Sequence, residues 1–161
     1  SQELGELIVR TNSKYAQSLG KSIRFTLNFD PLLPKLHVYT VLTLINNLTS
    51  NSVEAMKDSG RIDVSIHFLP GQEDIISFSV TDNGPGIPQR KREMIFTPGY
   101  TTKYDEGGQP STGMGLFYVR EVAESLDGTL ELLQNEDEHT DRLQTTFRII
   151  LPLRKLTEKG R

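Results

Sequence analysis

The sequence contains no cysteine and no tryptophan among its 161 residues. Without cysteine the chain forms no disulfide and no thiolate metal site, a composition that is typical of a reducing compartment. It also lacks any run of about 18 apolar residues, so no segment is predicted to span a bilayer. The formal net charge is −3, whereas a surface that binds nucleic acid or anionic membrane in general needs a basic field. These absences exclude a disulfide scaffold and a general nucleic-acid surface, but they leave room for a local cationic pocket.

The residues that are present describe one domain in which helices and strands alternate. Hydrophobic residues make up 35% and charged residues 24% of the sequence, ordinary values for a globular protein. Apolar residues at helical spacing predict helices over 3–20, 36–56, 89–96 and 114–128. Alternating apolar and polar residues predict strands over 22–29, 62–69, 74–82, 129–135 and 145–153. Their sum is an α+β fold, a two-layer sandwich in which helices cover one face of a mixed, mostly antiparallel sheet.

The first candidate site is the segment "NNLTSN" (46–51), inside the long second helix. Asn47 and Asn51 are four residues apart and therefore project from the same face of that helix. Asn is a poor helix former and is expensive on a buried stripe unless its amide has a partner. A carboxamide oxygen suits Mg²⁺ that is already surrounded by phosphate oxygens and water. Taken alone, the pair is more simply explained as two satisfied amides on a helix surface.

The second candidate is "VTDNGPGIPQ" (80–89), at the end of the third strand. Period-two alternation puts Asp82 on the same face as the apolar residues of 76–80, so its carboxylate emerges on the covered side and must find a donor. The exocyclic amine of adenine would supply one. Gly84 and Gly86 permit a positive φ and a close approach of the backbone. On its own, the segment is also consistent with a plain turn closed by an Asx-type side-chain bond.

Two glycine-rich segments that follow have a composition suited to phosphate. In "FTPGYTTK" (96–103), the hydroxyls of Thr101 and Thr102 and the ammonium of Lys103 are able to reach phosphate oxygens, and the segment runs on without regular structure, as functional lids do. In "STGMGLFYV" (111–119), a glycine pair opens a helix, where free N–H groups and the helix dipole favour an anion. Each also has a simpler explanation, a solvated loop and an ordinary helix N-terminus.

The four clusters, taken in this order, resemble the catalytic ATP-binding domain of sensor histidine kinases, a member of the superfamily that includes gyrase, Hsp90 and MutL. "INNLTSNSVEAM" (45–56) is similar to the N box of that family and "DNGPGI" (82–87) to its G1 box. "FTPGYTTK" (96–103) is similar to its F box and "TGMGL" (112–116) to its G2 box. The resemblance extends from about residue 25 to residue 153, and it implies a Bergerat-type fold with ATP between the helices and a lid.

The resemblance implies roles for individual residues in binding Mg²⁺ and adenine. Asn51 matches the principal Mg²⁺ ligand of the family, and Asn47 matches its helper, which makes Asn47 a candidate catalytic residue as well. Asp82 matches the residue that receives the adenine amine, and Gly84 and Gly86 border the base.

The same resemblance extends to the phosphates and to a water beneath the base. Lys103 and the backbone at Gly113 and Gly115 are expected to hold the phosphates, and Lys103 is the second candidate catalytic residue. By period-two alternation Thr145 shares a strand face with Phe147 and Ile149, and it matches a family Thr that supports adenine through water. The expected nucleotide-binding set is completed by Thr101, Thr102, Thr112, Met114 and Leu116.

Three positions depart from the pattern of the family. Ser111 stands where the G2 box usually starts with Gly, which bears on how the lid hinges. Gly99 replaces the second aromatic residue of the F box, and Ser52 turns the "NA" of the N box into "NS". None of the three is a residue that the resemblance assigns to metal or adenine.

The resemblance also implies the type of reaction. ATPase branches of the superfamily carry a Glu one turn before the metal-binding Asn, and this chain has Asn47 there, which takes no proton. A neutral imidazole needs no deprotonation before it attacks a γ-phosphoryl group, and phosphoryl transfer depends chiefly on positioning and charge neutralisation. The sequence therefore predicts phosphorylation of a histidine. That histidine is expected outside this chain, because His37, His67 and His139 lack an acidic neighbour followed by a basic helix and are interpreted as structural or surface residues.

Two alternatives stay open from the sequence. One is an anti-sigma-factor-type serine kinase, which Asn47 and the F box disfavour. The other is a nucleotide-binding module without catalysis, which the retained Asn51, Lys103 and glycines disfavour and Ser111 keeps open.

The chain is expected to be a fragment of a longer protein. Residues 1–20 are interpreted as the end of a linker helix from a dimerisation and phosphoacceptor module, 21–155 as the catalytic domain and 156–161 as a tail. The expected partners are ATP, the histidine-bearing dimerisation domain of the same parent and the receiver domain of a response regulator, with no nucleic acid. The isolated domain is expected to be a monomer and the parent a cytoplasmic homodimer, either free or with a membrane anchor outside this chain.

Overall fold

The computed structural model of the chain describes residues 2–98, 115–134 and 144–157. Its helices are α1 (Gln2–Ser18), α2 (Val38–Ala55) and α3 (Gly115–Ser125). Its strands are β1 (Ser22–Phe29), β2 (Ser59–Leu69), β3 (Gln72–Asp82), β4 (Thr129–Gln134) and β5 (Thr145–Pro152). Within these described ranges, no helix is both long enough and apolar enough to cross a membrane.

The five strands form one sheet in the order β1-β2-β3-β5-β4. Strand β1 is parallel to β2, because α2 carries the chain back between them, and the other three pairs are antiparallel. The β2–β3 hairpin turns at Gly71, whose φ of +76° suits glycine. The mixed, mostly antiparallel sheet predicted from the alternation is confirmed.

One face of the sheet carries the core and is covered by the helices. Alternate residues of β2, β3 and β5 are buried, and their neighbours along each strand are half-buried or exposed. Helix α1 packs on α2 and β1, α2 packs on β3 and α3, and α3 packs on β4. The largest fully buried side chains come from both layers, among them Ile8, Leu44, Leu48, Phe78 and Phe147. The two-layer α+β architecture is therefore as predicted.

Two local predictions were wrong. Residues 89–96 do not form one helix but two separate 3-10 turns, Gln89–Lys91 and Met94–Phe96, because Pro88 starts a segment that is too short and too weakly apolar to sustain an α-helix. Helix α3 ends at Ser125, three residues before the end of the helix predicted over 114–128. The left-handed residue after it is Asp127, with a φ of +62°, whereas Gly128 is required for space, since a Cβ there would lie 2.5 Å from the Ile150 carbonyl oxygen.

Candidate functional site

Three polar side chains lie side by side at one end of the covered face of the sheet. Asp82, the last residue of β3, is paired with Thr145, the first residue of β5. Thr145 is paired in turn with Gln134, the last residue of β4. Asp82 and Thr145 are 4% and 3% exposed, so polar groups end rows that are otherwise apolar. The sequence predicted the placement of Asp82 and Thr145 by period-two alternation, and the sheet register brings the two together.

The Asp82 carboxylate also organises the turn that follows it. Its Oδ1 accepts a hydrogen bond from the Gly84 N–H at 2.9 Å, which is the Asx-type bond expected of a plain turn. Asn83 faces the other way and extends the β2–β3 ladder, since its Oδ1 accepts from the Arg61 N–H at 2.8 Å. The turn fixes the direction of the carboxylate. The surroundings of this carboxylate, where the sequence predicts the adenine base, are called the Asp82 pocket below.

Gln134 pins the glycine-rich loop that runs from 83 to 88. Its Oε1 accepts the Ile87 N–H at 2.8 Å, and its Nε2 donates to the Ile87 carbonyl at 3.2 Å. The Thr145 hydroxyl adds a longer bond to the same Oε1, 3.4 Å. Gly86 passes directly over this amide with a φ of +81°, and a Cβ there would lie 3.3 Å from Gln134 Cδ. Gly86 is thus required both for its backbone conformation and for close approach.

Gln134 was missed by the sequence interpretation. The signal for it was present, because Gln134 continues the inward-facing row of Leu130 and Leu132 by period-two spacing, just as Asp82 continues the row of β3. A polar residue at the end of an apolar row, next to two predicted strand ends, would have identified it.

Met56 borders the turn after Asp82 from the helical side, and the sequence interpretation missed it as well. It follows α2 directly and is 3% exposed. A Cβ placed on Gly84 would lie 3.0 Å from both Met56 Sδ and Asp82 Oδ1, and a Cβ on Gly60 would collide with Met56 Cε at 1.7 Å. The end of α2, the start of β2 and the turn after β3 therefore meet around the Asp82 carboxylate, with glycine at the two points of closest approach.

Asn47 and Asn51 lie on α2 as predicted, both half-buried, with Asn51 in the last turns before Met56. The Asn47 Nδ2 donates to the Thr43 carbonyl at 2.6 Å, which leaves its Oδ1 available as a ligand. The side-chain carboxamide of Asn51 makes no hydrogen bond to any of the described residues. Two half-buried amide oxygens on the helix that Met56 follows fit a hard cation shared with phosphate oxygens. Elsewhere in the described residues, no group of three or more His, Cys, Asp or Glu side chains is placed to hold a metal ion.

Helix α3 brings a helix N-terminus to the same end of the sheet. It begins at Gly115, which is exposed and has a φ of +63°, and Leu116 anchors its first turn in the core at 6% exposure. The chain turns sharply after Ser125 into β4, which packs on α3. Helix and strand span about 16 Å and about 20 Å. Because α3 and β4 run in opposite directions, the start of α3 at Gly115 lies at the same end of the sheet as the end of β4 at Gln134.

The remaining predicted residues lie outside the described ranges. These are Thr101, Thr102, Lys103, Thr112, Gly113 and Met114, and Ser111, Gly99 and His139 lie there too. Of the other two histidines, His37 is exposed and its Nδ1 lies 2.9 Å from the Thr40 hydroxyl, and His67 is half-buried on β2. These surroundings agree with the interpretation of His37 and His67 as structural or surface residues.

Comparison with known proteins identifies the protein family to which the chain belongs. The family described as "Histidine kinase-, DNA gyrase B-, and HSP90-like ATPase" matches residues 38–155, and the chain belongs to this family. It is 41% identical over 160 residues to sensor histidine kinase GlnK of Bacillus subtilis (strain 168), covering 99% of this chain and 37% of that protein. It is 31% identical over 158 residues to sensory histidine kinase/phosphatase NtrB of Rhizobium leguminosarum bv. phaseoli, covering 88% of this chain and 38% of that one. The chain thus spans under two-fifths of the length of these relatives.

Solved structures confirm the fold. The catalytic domain of histidine kinase ThkA superposes with a TM-score of 0.72 at 23% identity, covering 94% of this chain and 91% of that one. The mycobacterial sensor histidine kinase MprB superposes with a TM-score of 0.66 at 20% identity, covering 91% and 93%. Together with the family match, these likenesses confirm the class predicted from the four boxes, an ATP-binding catalytic domain of the histidine kinase type.

Proposed function

We propose that this chain transfers the γ-phosphoryl group of ATP to a histidine on a separate dimerisation domain of its parent protein, from which the group is relayed to the receiver domain of a response regulator. The observation that carries the proposal is the nature of the side chains on α2. Asn47 and Asn51 are amides, and an amide does not take a proton from water. The reaction therefore depends on an acceptor that is already nucleophilic, which a neutral imidazole is.

In the proposed complex, the described residues position ATP rather than react with it. The Asp82 carboxylate accepts a hydrogen bond from the adenine amine at the buried end of the sheet. Gly84 and Gly86 admit the base beside the backbone, and Thr145 supports it through water. The free N–H groups of the first turn of α3, which Gly115 opens, face the phosphates.

Two further parts of the assignment rest on the resemblance. Asn51, assisted by Asn47, is assigned to bind Mg²⁺, which supplies charge neutralisation at the phosphates. Lys103 is assigned to the phosphates, with Thr101, Thr102, Thr112, Gly113, Met114 and Leu116 completing the binding set. The cytoplasmic location and the dimeric state of the parent stay predictions.

Transfer of label from γ-labelled ATP to an added histidine-bearing dimerisation domain tests the proposal. We expect label on the added domain that is lost in acid and stable in base. Acid-stable phosphoserine would instead indicate the anti-sigma-factor type of kinase, and ATP binding without transfer to any acceptor would indicate a regulatory module. Asn51→Ala should abolish the Mg²⁺-dependent transfer, and unchanged turnover in that variant would contradict the assigned metal role.

A further inference from the structure

The C-terminus of α2 is capped by a lysine from another part of the chain. Lys21, in the connection between α1 and β1, is half-buried, and its Nζ donates to three main-chain carbonyls, those of Val53 at 2.8 Å, Glu54 at 3.1 Å and Met56 at 2.7 Å. The last carbonyls of a helix have no partner within the helix and carry its partial negative charge. All three donor hydrogens of one ammonium group are used here, which is the full capacity of a lysine.

The only other hydrogen bonds that the described residues make to the last carbonyls of α2 come from its own backbone, where the Met56 N–H donates to Ser52 at 3.1 Å and to Val53 at 3.3 Å. The last turn of α2 contains no basic residue, and the residue that follows it, Met56, is extended, with φ −71° and ψ 154°. A left-handed glycine, the common way to close a helix, is therefore absent from this position. Lys21 takes over that task, and because it comes from outside the helix it ties the end of α2 to the start of β1.

The residue that Lys21 holds is also the residue that borders the Asp82 pocket. Its Nζ makes its shortest contact with the Met56 carbonyl, and the Met56 side chain packs against the turn after β3, close to where a Cβ on Gly84 would lie. A shift of the Met56 backbone would thus move the wall of the pocket. No atom of Lys21 needs to touch a ligand for this to happen.

Two contacts from α1 support the same geometry along α2. The Asn12 Nδ2 donates to the Asn46 Oδ1 at 3.0 Å, beside Asn47, and the Tyr15 hydroxyl donates to the Glu54 carboxylate at 3.0 Å. Asn12 is 2% exposed, so its amide is fixed. These contacts set the rotation of α2 about its axis, and Lys21 fixes the level at which the helix ends.

We infer that Lys21 is a positioning residue for the nucleotide site, which acts through the end of α2 and Met56 on the pocket at Asp82. The inference rests on the proposed nucleotide site. According to this inference, the Lys21 ammonium group keeps the Asp82 pocket in its binding geometry. Its loss therefore weakens ATP binding even in molecules that are still folded.

The test compares Lys21→Met with Lys14→Met, the same change at an exposed lysine of α1. ATP affinity is measured by calorimetry at a temperature at which urea unfolding shows each variant to be folded. We expect Lys21→Met to bind ATP about tenfold more weakly, which is a loss of about 1.4 kcal/mol of binding free energy, and Lys14→Met to bind as the parent does. Lys21→Arg, which keeps a cation with several donors, should recover most of the affinity and serves if Lys21→Met does not fold. A lower stability with a dissociation constant within twofold of the parent would overturn the inference.

A second readout needs no nucleotide. In the ¹⁵N-labelled chain without ligand, Lys21→Met should shift the amide resonances of Gly60 and Gly84, which border Met56, and Lys14→Met should leave them in place. If the resonances shift but the unmodified chain binds no ATP, the proposed function is contradicted while the coupling from Lys21 to the Asp82 pocket is supported. Unmoved resonances would contradict the coupling itself.

Discussion

At the scale of the residue, the site depends on polar groups at positions where the fold otherwise demands apolar ones. Asp82 and Thr145 end two neighbouring rows of buried side chains, and Gln134 ends the half-buried row of β4 beside them. Burial of a polar group is unfavourable unless it is hydrogen-bonded, and here the hydrogen bonds go to the loop that borders the pocket. The hydrogen bonds that offset the burial of these polar groups are thus the bonds that shape the proposed site.

Ser52 is a residue for which the structure offers no such compensation. Its Oγ is fully buried on α2 and has no hydrogen-bond partner among the described residues. Because an unpaired buried hydroxyl is unfavourable and Ala is the better helix former, Ser52→Ala should raise the free energy of unfolding by about 1 kcal/mol. Urea denaturation measures the change.

Ser50→Ala is the matched control for this substitution. The Ser50 hydroxyl donates to the Asn46 carbonyl at 2.7 Å, so the gain in helix propensity is offset by the lost bond and the net change should be close to zero. A loss of stability in Ser52→Ala would contradict the prediction and would indicate a bound water at the hydroxyl.

Sequence patterns predicted part of this residue-scale arrangement. Strand alternation was sufficient to place Asp82 and Thr145 on the covered face. Gln134 and Met56 were not predicted, because their roles depend on which strands are neighbours and on where a helix ends. The role of Lys21 was not predictable from the sequence for the same reason, since its hydrogen-bond partners lie 32 to 35 residues further along the chain.

At the scale of the element, the Gln134 side chain connects the loop between β3 and the first 3-10 turn to the end of β4. Gln134→Leu removes both of the bonds to Ile87 while keeping an inward-facing side chain of similar size. We expect the free energy of unfolding to fall by about 1 kcal/mol, since the part-buried Ile87 N–H loses its partner, whereas the Ile87 carbonyl keeps a hydrogen bond from the Arg92 Nε at 3.3 Å. ATP binding should weaken as well, because Gly86 is no longer fixed.

Gln72→Leu provides the comparison for that change, since Gln72 is exposed at the start of β3. Its stability and its affinity for ATP should both match those of the parent in urea denaturation and calorimetry. Equal behaviour of the two variants would contradict the role given to Gln134.

The contact between α1 and α2 should be visible in the pH dependence of stability. Burial, the nearby Glu54 charge and the hydrogen bond to it raise the pKa of Tyr15 from 10.0 to about 12. A raised pKa means that the neutral phenol is favoured in the folded state. Its contribution to stability is therefore complete below pH 10 and is lost as the pH rises toward 12.

Tyr15→Phe isolates this contribution. At pH 8 the variant should be less stable than the parent by about 1 kcal/mol, the value of one hydrogen bond. The difference should shrink as the pH of the urea denaturation is raised from 10 to 11.5, and a difference that is constant over this range would contradict the contact. Tyr39→Phe, at a tyrosine that is 77% exposed, should be neutral throughout.

Elements with a strong period were predicted well and irregular ones were not. The alternation in β3 and β5 and the apolar stripe of α2 dominate their local structure, so the element type followed from the pattern. Residues 89–96 contain apolar residues at a spacing that fits a helix, but the proline before them and the short length leave only 3-10 turns. The extended end of α2 likewise has no signature in its own residues.

At the scale of the whole molecule, the sheet order explains why the site is where it is. Residue 82 is far in sequence from residues 134 and 145, and the three become neighbours because β5 is placed between β3 and β4. The four boxes were sufficient to predict the family and the fold, since their order and spacing are specific together. The register between strands, which joins them into one site, required the structure.

Ligand binding at this site should stabilise the whole domain. A ligand that binds only the folded chain raises the free energy of unfolding by about 2.7 kcal/mol at a concentration of 100 times its dissociation constant. Thermal unfolding of the chain should therefore shift upward with ATP and Mg²⁺, and the size of the shift should follow the affinity of each variant.

The central claim, that Asp82 receives the adenine base, is tested most directly by calorimetry of ATP binding to Asp82→Asn. Asparagine keeps the shape of the side chain and an oxygen for the Gly84 N–H, but it presents an amide donor in place of an acceptor. Asp74→Asn, at an exposed position of the same strand, is the control. We predict that Asp82→Asn stays folded and binds no ATP, with Asp74→Asn binding as the parent does; an Asp82→Asn variant with the affinity of the parent would contradict the account.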